Sequence, residues 1–421
     1  MDTPTVAITP WKTIKWETGT AEDPVFLSEG TDVSGDWIYE FKPDEAALHE
    51  LRKRINQYER DQGTSTWEYY KKIVNPYELI YTQKKYEDFP ESVCIYHPLS
   101  RSYFKIIEIL SVSNFFTDMK TVRTLRSAHV CEGPGGFIEG FMDECNKHHK
   151  TISSSTAITL RPKQANVPGW KRASTFLQKH KNVHVMYGSD NTGDLLVYQN
   201  QDDFIGACEH AKVQFMTGDG GFDFSTDYDS QEKSIFSLLI ASTRVGFEVL
   251  ADGGLFVLKF FDIYYSGTRD LLCFLSKNFS RWTLYKPATS RPCNPELYFI
   301  GARFKRPPPF VMDKLRGWSK SVCNGIVPQR LFSSVPEYFS STLERIIQES
   351  VHIQSLYLQK VFELIEGNGE ADRKRIIQNL LKRHEVISYM WCKEFNVCVY
   401  PRRIHLIEAL RSDLRASGQL E

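Results

Sequence analysis

Several residues whose chemistry could bind a ligand or handle a proton stand where an apolar run meets a polar turn. Asp219 follows Val213-Gln214-Phe215-Met216-Thr217-Gly218 and precedes Gly220-Gly221. Lys259 interrupts the most apolar run of the chain, Gly253 to Phe261. Glu132 ends His129-Val130-Cys131 and opens the turn Gly133-Pro134-Gly135-Gly136 before Phe137. Glu296 opens Leu297–Phe304 after a polar, proline-stiffened loop from Lys286 to Pro295. A carboxylate at a strand mouth is a candidate for binding or proton handling, although Asp also commonly caps a following helix. A lysine in an apolar strand either snorkels to solvent or is partly desolvated. Desolvation lowers its pKa and makes it a candidate base. The glycines around 133–136 let a ligand approach the backbone, because they carry no Cβ. At the end of a first parallel strand, this is where α/β folds bind nucleotides. The turn is neither G-x-G-x-x-G nor a Gly-Lys-Ser/Thr loop, which favours a nucleoside without phosphates, such as S-adenosylmethionine. A plain tight turn is the alternative.

Elements must bring these residues together. Leu99–Leu110 reads as a helix with a buried stripe of Phe104, Ile107 and Leu110. Arg101 and Lys105, four apart, share its face, with Glu108 three further on. By itself that face reads as solvated, with one ordinary ion pair. Residues 100–304 alternate strand-like and helical patterns, which predicts an α/β core. The strand candidates are Ala128–Cys131, Thr156–Leu160, Val183–Tyr187, Val213–Thr217, Leu255–Phe261, Trp282–Tyr285 and Leu297–Phe304. The first 95 residues mix turn signals (Gly30, Gly35, Pro43, Gly63, Pro76) with a helix from Glu45 to Arg60. Pro307-Pro308-Pro309 cannot continue a ladder, and residues 336–420 show helical spacing of apolar positions. The expected organisation is an α+β extension over 1–97, a core over 98–305 and a mostly helical region over 306–421.

The 52 basic and 52 acidic side chains cancel. Residues 1–99 hold 11 basic and 18 acidic groups, whereas residues 305–421 hold 18 and 13. A basic tail is usually a solvated surface, but the charge asymmetry also hints at an interaction surface on the later part of the chain. Candidates are Lys305, Arg306, Lys314, Arg316, Lys320, Arg330, Arg373-Lys374-Arg375 and Lys382-Arg383. The nine cysteines form no C-x-x-C pair, and His148-His149 beside Cys145 lacks a second ligand pair, so no metal is expected. Met1-Asp2-Thr3-Pro4 is not a basic segment before an apolar core, and no 18-residue apolar run exists. The expectation is an intracellular protein, nuclear or cytoplasmic, without a membrane partner.

The order of these segments resembles the FtsJ/RrmJ-type RNA ribose 2′-O-methyltransferases. Cys131–Phe137, Gly218-Asp219-Gly220-Gly221-Phe222 and Lys286-Pro-Ala-Thr-Ser-Arg-Pro-Cys-Asn-Pro-Glu296 are closest to the cap-specific mRNA enzymes. The resemblance covers about residues 98–305. It implies a Rossmann-like methyltransferase core, a seven-stranded, mostly parallel sheet flanked by helices. It implies a tetrad of Lys105, Asp219, Lys259 and Glu296, with S-adenosylmethionine as the cofactor. The donor would sit on Ser100, Cys131, Glu132, Gly133, Pro134, Gly135, Gly136, Phe137, Asp190 and Asn191, with Asp194 as the fallback for Asp190. Arg101, Ser290, Arg291 and Asn294 match positions on the RNA side. The implied partners are capped mRNA and other capping or transcription proteins. After the second strand, Leu160-Arg161 offers no acid for the ribose hydroxyls, and Glu132 is the substitute.

A ribose 2′-hydroxyl is a weak nucleophile, so oxygen, methyl and sulfur must be held in line. Lys259 is the candidate base or steering group, with Lys105 and a dry site expected to lower its pKa. The rival readings are a ribosomal or transfer RNA 2′-O-methyltransferase, a silent scaffold of a capping complex, and a small-molecule methyltransferase. For the aromatics of 223–231 and Tyr264-Tyr265, core packing is the ordinary alternative to stacking on a methylated guanine.

Overall fold

The computed structural model describes residues 16–18, 23–27, 37, 39, 41–58, 66–82, 89–161, 169–221, 231–367 and 369–420. Gly30, Gly35, Gly63, Phe222 and most of the 223–231 segment lie outside them. The strands are β1 Glu17–Thr18, β2 Val25–Phe26, β3 Thr124–Val130, β4 Thr151–Ile158, β5 Val183–Met186, β6 Val213–Gly218, β7 Leu250–Phe261, β8 Phe279–Tyr285, β9 Glu296–Phe304 and β10 Phe332–Ser334. The central sheet has the order β1-β8-β9-β7-β6-β3-β4-β5. Strands β5, β4, β3, β6 and β7 run parallel. Strand β9 enters antiparallel between β7 and β8. The seven expected strands are all present, and the N-terminal segment adds an eighth, because Glu17 and Thr18 pair with Trp282 and Arg281 of β8.

The parallel strands are apolar on both faces, as helices covering both sides require. Phe215, Met216, Phe256, Val257 and Leu258 are all buried. Where the polar His129 enters this core, its ring exchanges hydrogen bonds with Thr217 at 2.7 Å and Ser127 at 2.8 Å. Burial pushes that imidazole down to about 3, so it is neutral and ties β3 to β6 without a buried charge.

The helix Ser102–Val112 packs on the helix Gly136–Lys147. Glycine spacing permits this: a Cβ on Gly140 would lie 2.5 Å from Ile106 Cγ2, and one on Gly136 would lie 2.1 Å from Ser100 Oγ. The helix expected over 45–60 spans Pro43–Ile55, with proline in its first turn where a missing N–H costs nothing. Beyond Pro309 come the helices Pro309–Cys323, Glu337–Glu366, Glu370–Glu394 and Pro401–Ala416.

Chain ends and core interleave. Strand β2 pairs with β10 across more than 300 residues. Arg52 makes a two-pronged pair with Asp262, at 2.7 and 2.9 Å, and donates to Gln354 at 2.7 Å. One guanidinium thus joins the N-terminal helix, the segment after β7 and a C-terminal helix. No helix among the described residues is long and apolar enough to cross a membrane, and no group of metal-ligating side chains is found among them.

Candidate active site

Strand register decides which side chains meet. Val130 lies opposite Gly218, and Gly218 opposite Leu258. One step further along, Cys131, Asp219 and Lys259 therefore line up at the carboxyl edge of the sheet. Strand β9 starts at that edge and pairs Glu296 with Phe261 and Tyr298 with Lys259. Side chains alternate faces along a strand, so Glu296 and Tyr298 share the face of Lys259.

The side chains link in series. Lys259 Nζ lies 3.1 Å from Asp219 Oδ1 and donates to the Asp219 carbonyl at 2.9 Å. The Tyr298 hydroxyl donates to Asp219 Oδ1 at 2.8 Å and accepts from Lys105 Nζ at 3.3 Å. Lys105 Nζ also donates to Glu296 Oε1 at 2.6 Å, which accepts from the Ser290 hydroxyl at 2.7 Å. The four expected residues of the tetrad thus lie in one network with Ser290. Tyr298 is an addition that sequence reasoning misses. An aromatic in an apolar strand reads as core, and only its register opposite Lys259 reveals the position of its hydroxyl.

The expected depression of Lys259 is not what the structure shows. Burial does oppose its charge, but the carboxylates of Asp219 and Glu296 outweigh burial and hold its pKa above the ordinary lysine value. For Glu296, burial pushes upward, and Lys105 and Lys259 overcome it, so the carboxyl stays below its usual range. Buried charges persist when each is paired. Lys259 is therefore held as a protonated cation in this arrangement rather than as a ready base.

The glycine turn sits beside Asp219. Cys131 has φ +59° and Gly135 φ +105°, the left-handed backbone that folds the turn back under β3. The peptide between Gly133 and Pro134 is cis. The Gly135 N–H donates to the Glu132 carbonyl at 2.8 Å. Glu132 Oε1 accepts from the Phe137 and Ile138 N–H groups at 2.7 and 3.3 Å and so caps the next helix. Its Oε2 is buried with no partner among the described residues. Burial, then the nearby Asp219, push this carboxyl well up. Trp170 lies over the turn: a Cβ on Gly135 would come within 2.8 Å of its ring. The Trp170 Nε1 is also buried and unpartnered among the described residues. Nothing in its sequence neighbourhood signalled this indole.

The remaining expected residues divide. Ser100 touches the turn at Gly136. Asp190 Oδ1 accepts from the Thr192 N–H at 2.9 Å and from Asn200 Nδ2 at 2.8 Å, closing its own turn. Asn191, at φ +61°, sits at the bend. Asp194 is the member of this segment whose charge reaches Cys131. Arg161 stacks on the Tyr187 ring at 4.3 Å, so a cation–π pair stands where an acid was sought.

Arg101 and Arg291, expected on the RNA side, turn into the protein. Arg101 donates to the carbonyls of Tyr77, Tyr81 and Thr289 at 3.0, 2.5 and 3.2 Å. Arg291 grips the Glu78 carboxylate with two bonds, at 3.0 and 2.9 Å. Burial works to raise Glu78, and the two guanidiniums outweigh it, holding it at about 2. Asn294 lies in the same loop, its carbonyl accepting from Lys286 Nζ at 2.6 Å. Tyr264 is buried in the core against Tyr39, and Tyr265 is half-buried between Tyr39 and Trp37. In the basic tail, Arg306 donates to backbone carbonyls, and Arg316, Arg330, Lys374 and Arg375 each have a carboxylate partner.

Residues 98–304 match the model of the FtsJ-like methyltransferase family. Over 318 residues the chain is 27% identical to the cap-specific mRNA (nucleoside-2′-O-)-methyltransferase 2 of Danio rerio, covering 72% of this chain and 41% of that protein. It is 32% identical over 186 residues to the cap-specific mRNA (nucleoside-2′-O-)-methyltransferase 1 of Xenopus laevis, covering 43% of this chain and 21% of that protein. The chain spans less than half the length of these two curated relatives. Among solved structures, human methyltransferase-like protein 13 in complex with SAH aligns at a TM-score of 0.32 and 9% identity, covering 60% of this chain and 91% of that one. A likeness of that size carries no argument, and the assignment rests on the family match and the strand order. Residues 98–304 of this chain belong to the FtsJ-like methyltransferase family.

Proposed function

We propose that this protein transfers a methyl group from S-adenosylmethionine to the ribose 2′-hydroxyl of a cap-proximal nucleotide in capped mRNA. The observation that carries this reading is the linked set Lys259, Asp219, Tyr298, Lys105 and Glu296 beside the glycine turn. The similarity to cap-specific enzymes of Danio rerio and Xenopus laevis supports the RNA substrate.

The turn fits the donor. A buried carboxylate oxygen on Glu132 and a buried indole N–H on Trp170 both want a partner, and an amino-acid nucleoside offers both donors and acceptors. Ser100, Cys131, Gly133, Pro134, Gly136, Phe137, Asp190 or Asp194, and Asn191 complete that wall. When bound, S-adenosylmethionine supplies a methyl made electrophilic by its sulfonium.

The chain's own residues do the rest. Asp219 and Glu296 hold two ammonium groups at fixed places, which is positioning of the kind that contributes most when no covalent intermediate forms. Lys259 Nζ donates toward the hydroxyl oxygen and directs its lone pair, and the oxygen's proton passes to solvent as the new oxygen–carbon bond forms. Lys105, tied to Glu296 and Tyr298, sets the opposite wall. Ser290 and Asn294 stand on the loop that would face RNA.

The test is methyl transfer from labelled donor to short RNAs, capped or uncapped, with the first or second ribose blocked in turn. Transfer that requires the cap and stops when one ribose is blocked supports the reading and names the nucleotide. Equal transfer to uncapped RNA favours ribosomal or transfer RNA as the substrate. Absence of transfer with intact donor binding favours a scaffold.

A further inference from the structure

The loop from Lys286 to Glu296 carries Ser290 and Glu296, yet it has little regular structure of its own. Three ionisable groups hold it, the half-buried Lys286 and the buried Glu108 and Glu78. Lys286 Nζ staples its far end, donating to the carbonyls of Asn294 and Glu296 at 2.6 and 2.9 Å. Glu108, one helical turn beyond Lys105, accepts from the Ala288 N–H at 2.7 Å and from the Tyr285 hydroxyl. Its second oxygen accepts from Trp391 Nε1 at 3.0 Å.

The third group is Glu78, which lies outside the family segment. It is 2% exposed, in the short turn Glu78–Ile80 that packs on the helix Glu370–Glu394. Asn75 Nδ2 orients it at 2.7 Å. Its carboxylate takes the Arg291 fork and lies 3.6 Å from an Arg101 amine. Arg291 is adjacent to Ser290, and Arg101, four residues before Lys105, immediately precedes the helix that carries it. Arg101 also donates to the Thr289 carbonyl. One carboxylate therefore ties together the two segments that bring Lys105 and Glu296 within 2.6 Å of each other.

We propose that Glu78 is a positioning residue for the methyl transfer: through Arg101 and Arg291 it sets the place of Ser290 and Glu296 against Lys105. This rests on the function proposed above. A rigid two-pronged pair fixes angle as well as distance, which a single contact does not. Errors of about an ångström in reacting geometry can cost on the order of a hundredfold in rate.

The experiment uses the full chain carrying Glu78→Gln, which keeps the shape and loses the charge. The expected result is a kcat lower by about tenfold or more, unchanged affinity for S-adenosylmethionine by titration, and faster amide exchange confined to 286–296. Glu78→Asp, which keeps the charge, should recover part of the lost kcat. A wild-type kcat, or a fall in donor affinity parallel to the fall in kcat, overturns the proposal. Unchanged amide exchange across 286–296 overturns it as well, and that readout does not require activity. A wild-type chain that transfers no methyl to capped RNA would refute the function proposed above, a separate outcome. Should Glu78→Gln not fold, Arg291→Lys keeps the charge and loses the fork. A lower kcat with intact donor affinity then supports the role, and an unchanged kcat removes it.

Discussion

The glycine turn and the loop that carries Glu296 are held in different ways. The turn 131–137 is organised by its own residues: Glu132 caps Phe137 and Ile138, and Gly135 bonds back to Glu132. The loop 286–296 has its own staple in Lys286 but is also held from afar, by Glu108 about 180 positions earlier, Glu78 more than 200 earlier, and Trp391 indirectly through Glu108. The glycine turn needs little beyond its strand and helix. The loop carrying Glu296 needs both flanking regions in place, so the segments outside 98–304 are part of the site's support.

The largest effect is expected where the two loops meet. Lys259→Ala should lower kcat by about a thousandfold, within the range for removing one oriented electrostatic donor, while donor affinity measured by titration stays near wild type. Donor affinity falling with kcat would assign Lys259 to the binding turn instead. Next is the self-organised turn itself. Gly136→Ala places a Cβ 2.1 Å from Ser100 Oγ and 2.3 Å from Ser102 Oγ. Overpacking of this kind costs about 1–3 kcal/mol, so donor binding should weaken by one to two orders of magnitude. Amide exchange in 286–296 should not change; if it does, the loops are coupled and the contrast between them fails.

A smaller effect is expected from the remote side. Trp391→Phe removes the N–H that Glu108 Oε2 accepts, at a cost of about 1–3 kcal/mol for a buried acceptor left unmatched. The melting temperature should drop and kcat fall several-fold, with donor affinity intact. Loss of donor affinity would show that the C-terminal helices support both loops.

The smallest effect is a pH dependence that separates the two remote carboxylates. Glu78 faces guanidiniums and is held at about 2, below its unfolded value near 4.5. Its contribution is present above pH 4.5 and is lost as pH falls toward 2. Glu108 meets only neutral donors; burial prevails over them and raises it to about 7. The folded state binds that proton more tightly than the unfolded chain. Glu108 therefore subtracts stability progressively from about pH 4.5 to 7. Thermal melts of the wild type should show this decline, and Glu108→Gln should flatten it. An unchanged slope in that variant would assign the titration elsewhere.

Much of the site was readable because its chemistry interrupts a pattern. Lys259 breaks an apolar strand, Asp219 ends one, and the 132–136 turn separates a strand from an amphipathic helix. What was not readable follows from long-range pairing. Tyr298 looks like any core aromatic until β9 sets it opposite Lys259. Arg101 and Arg291, placed on the RNA side by the family resemblance, also meet a carboxylate from another region that no local pattern announces. Lys259 looks depressed by burial until two carboxylates reverse the balance. Net charge was equally ambiguous, because several cations of the basic tail pair with acids that only folding brings near.

The sequence by itself determined the α/β core, its seven strands and the glycine turn, which depend on alternation, apolar runs and residue type at strand ends, all local properties. The grouping of Lys105, Asp219, Lys259 and Glu296 came from the family resemblance. The tertiary structure alone decided the eighth strand, the protonation balance at Lys259, the role of Tyr298 and the clamp on the 286–296 loop. Each of those depends on which charges and hydrogen-bonding groups become neighbours when segments hundreds of residues apart are buried together.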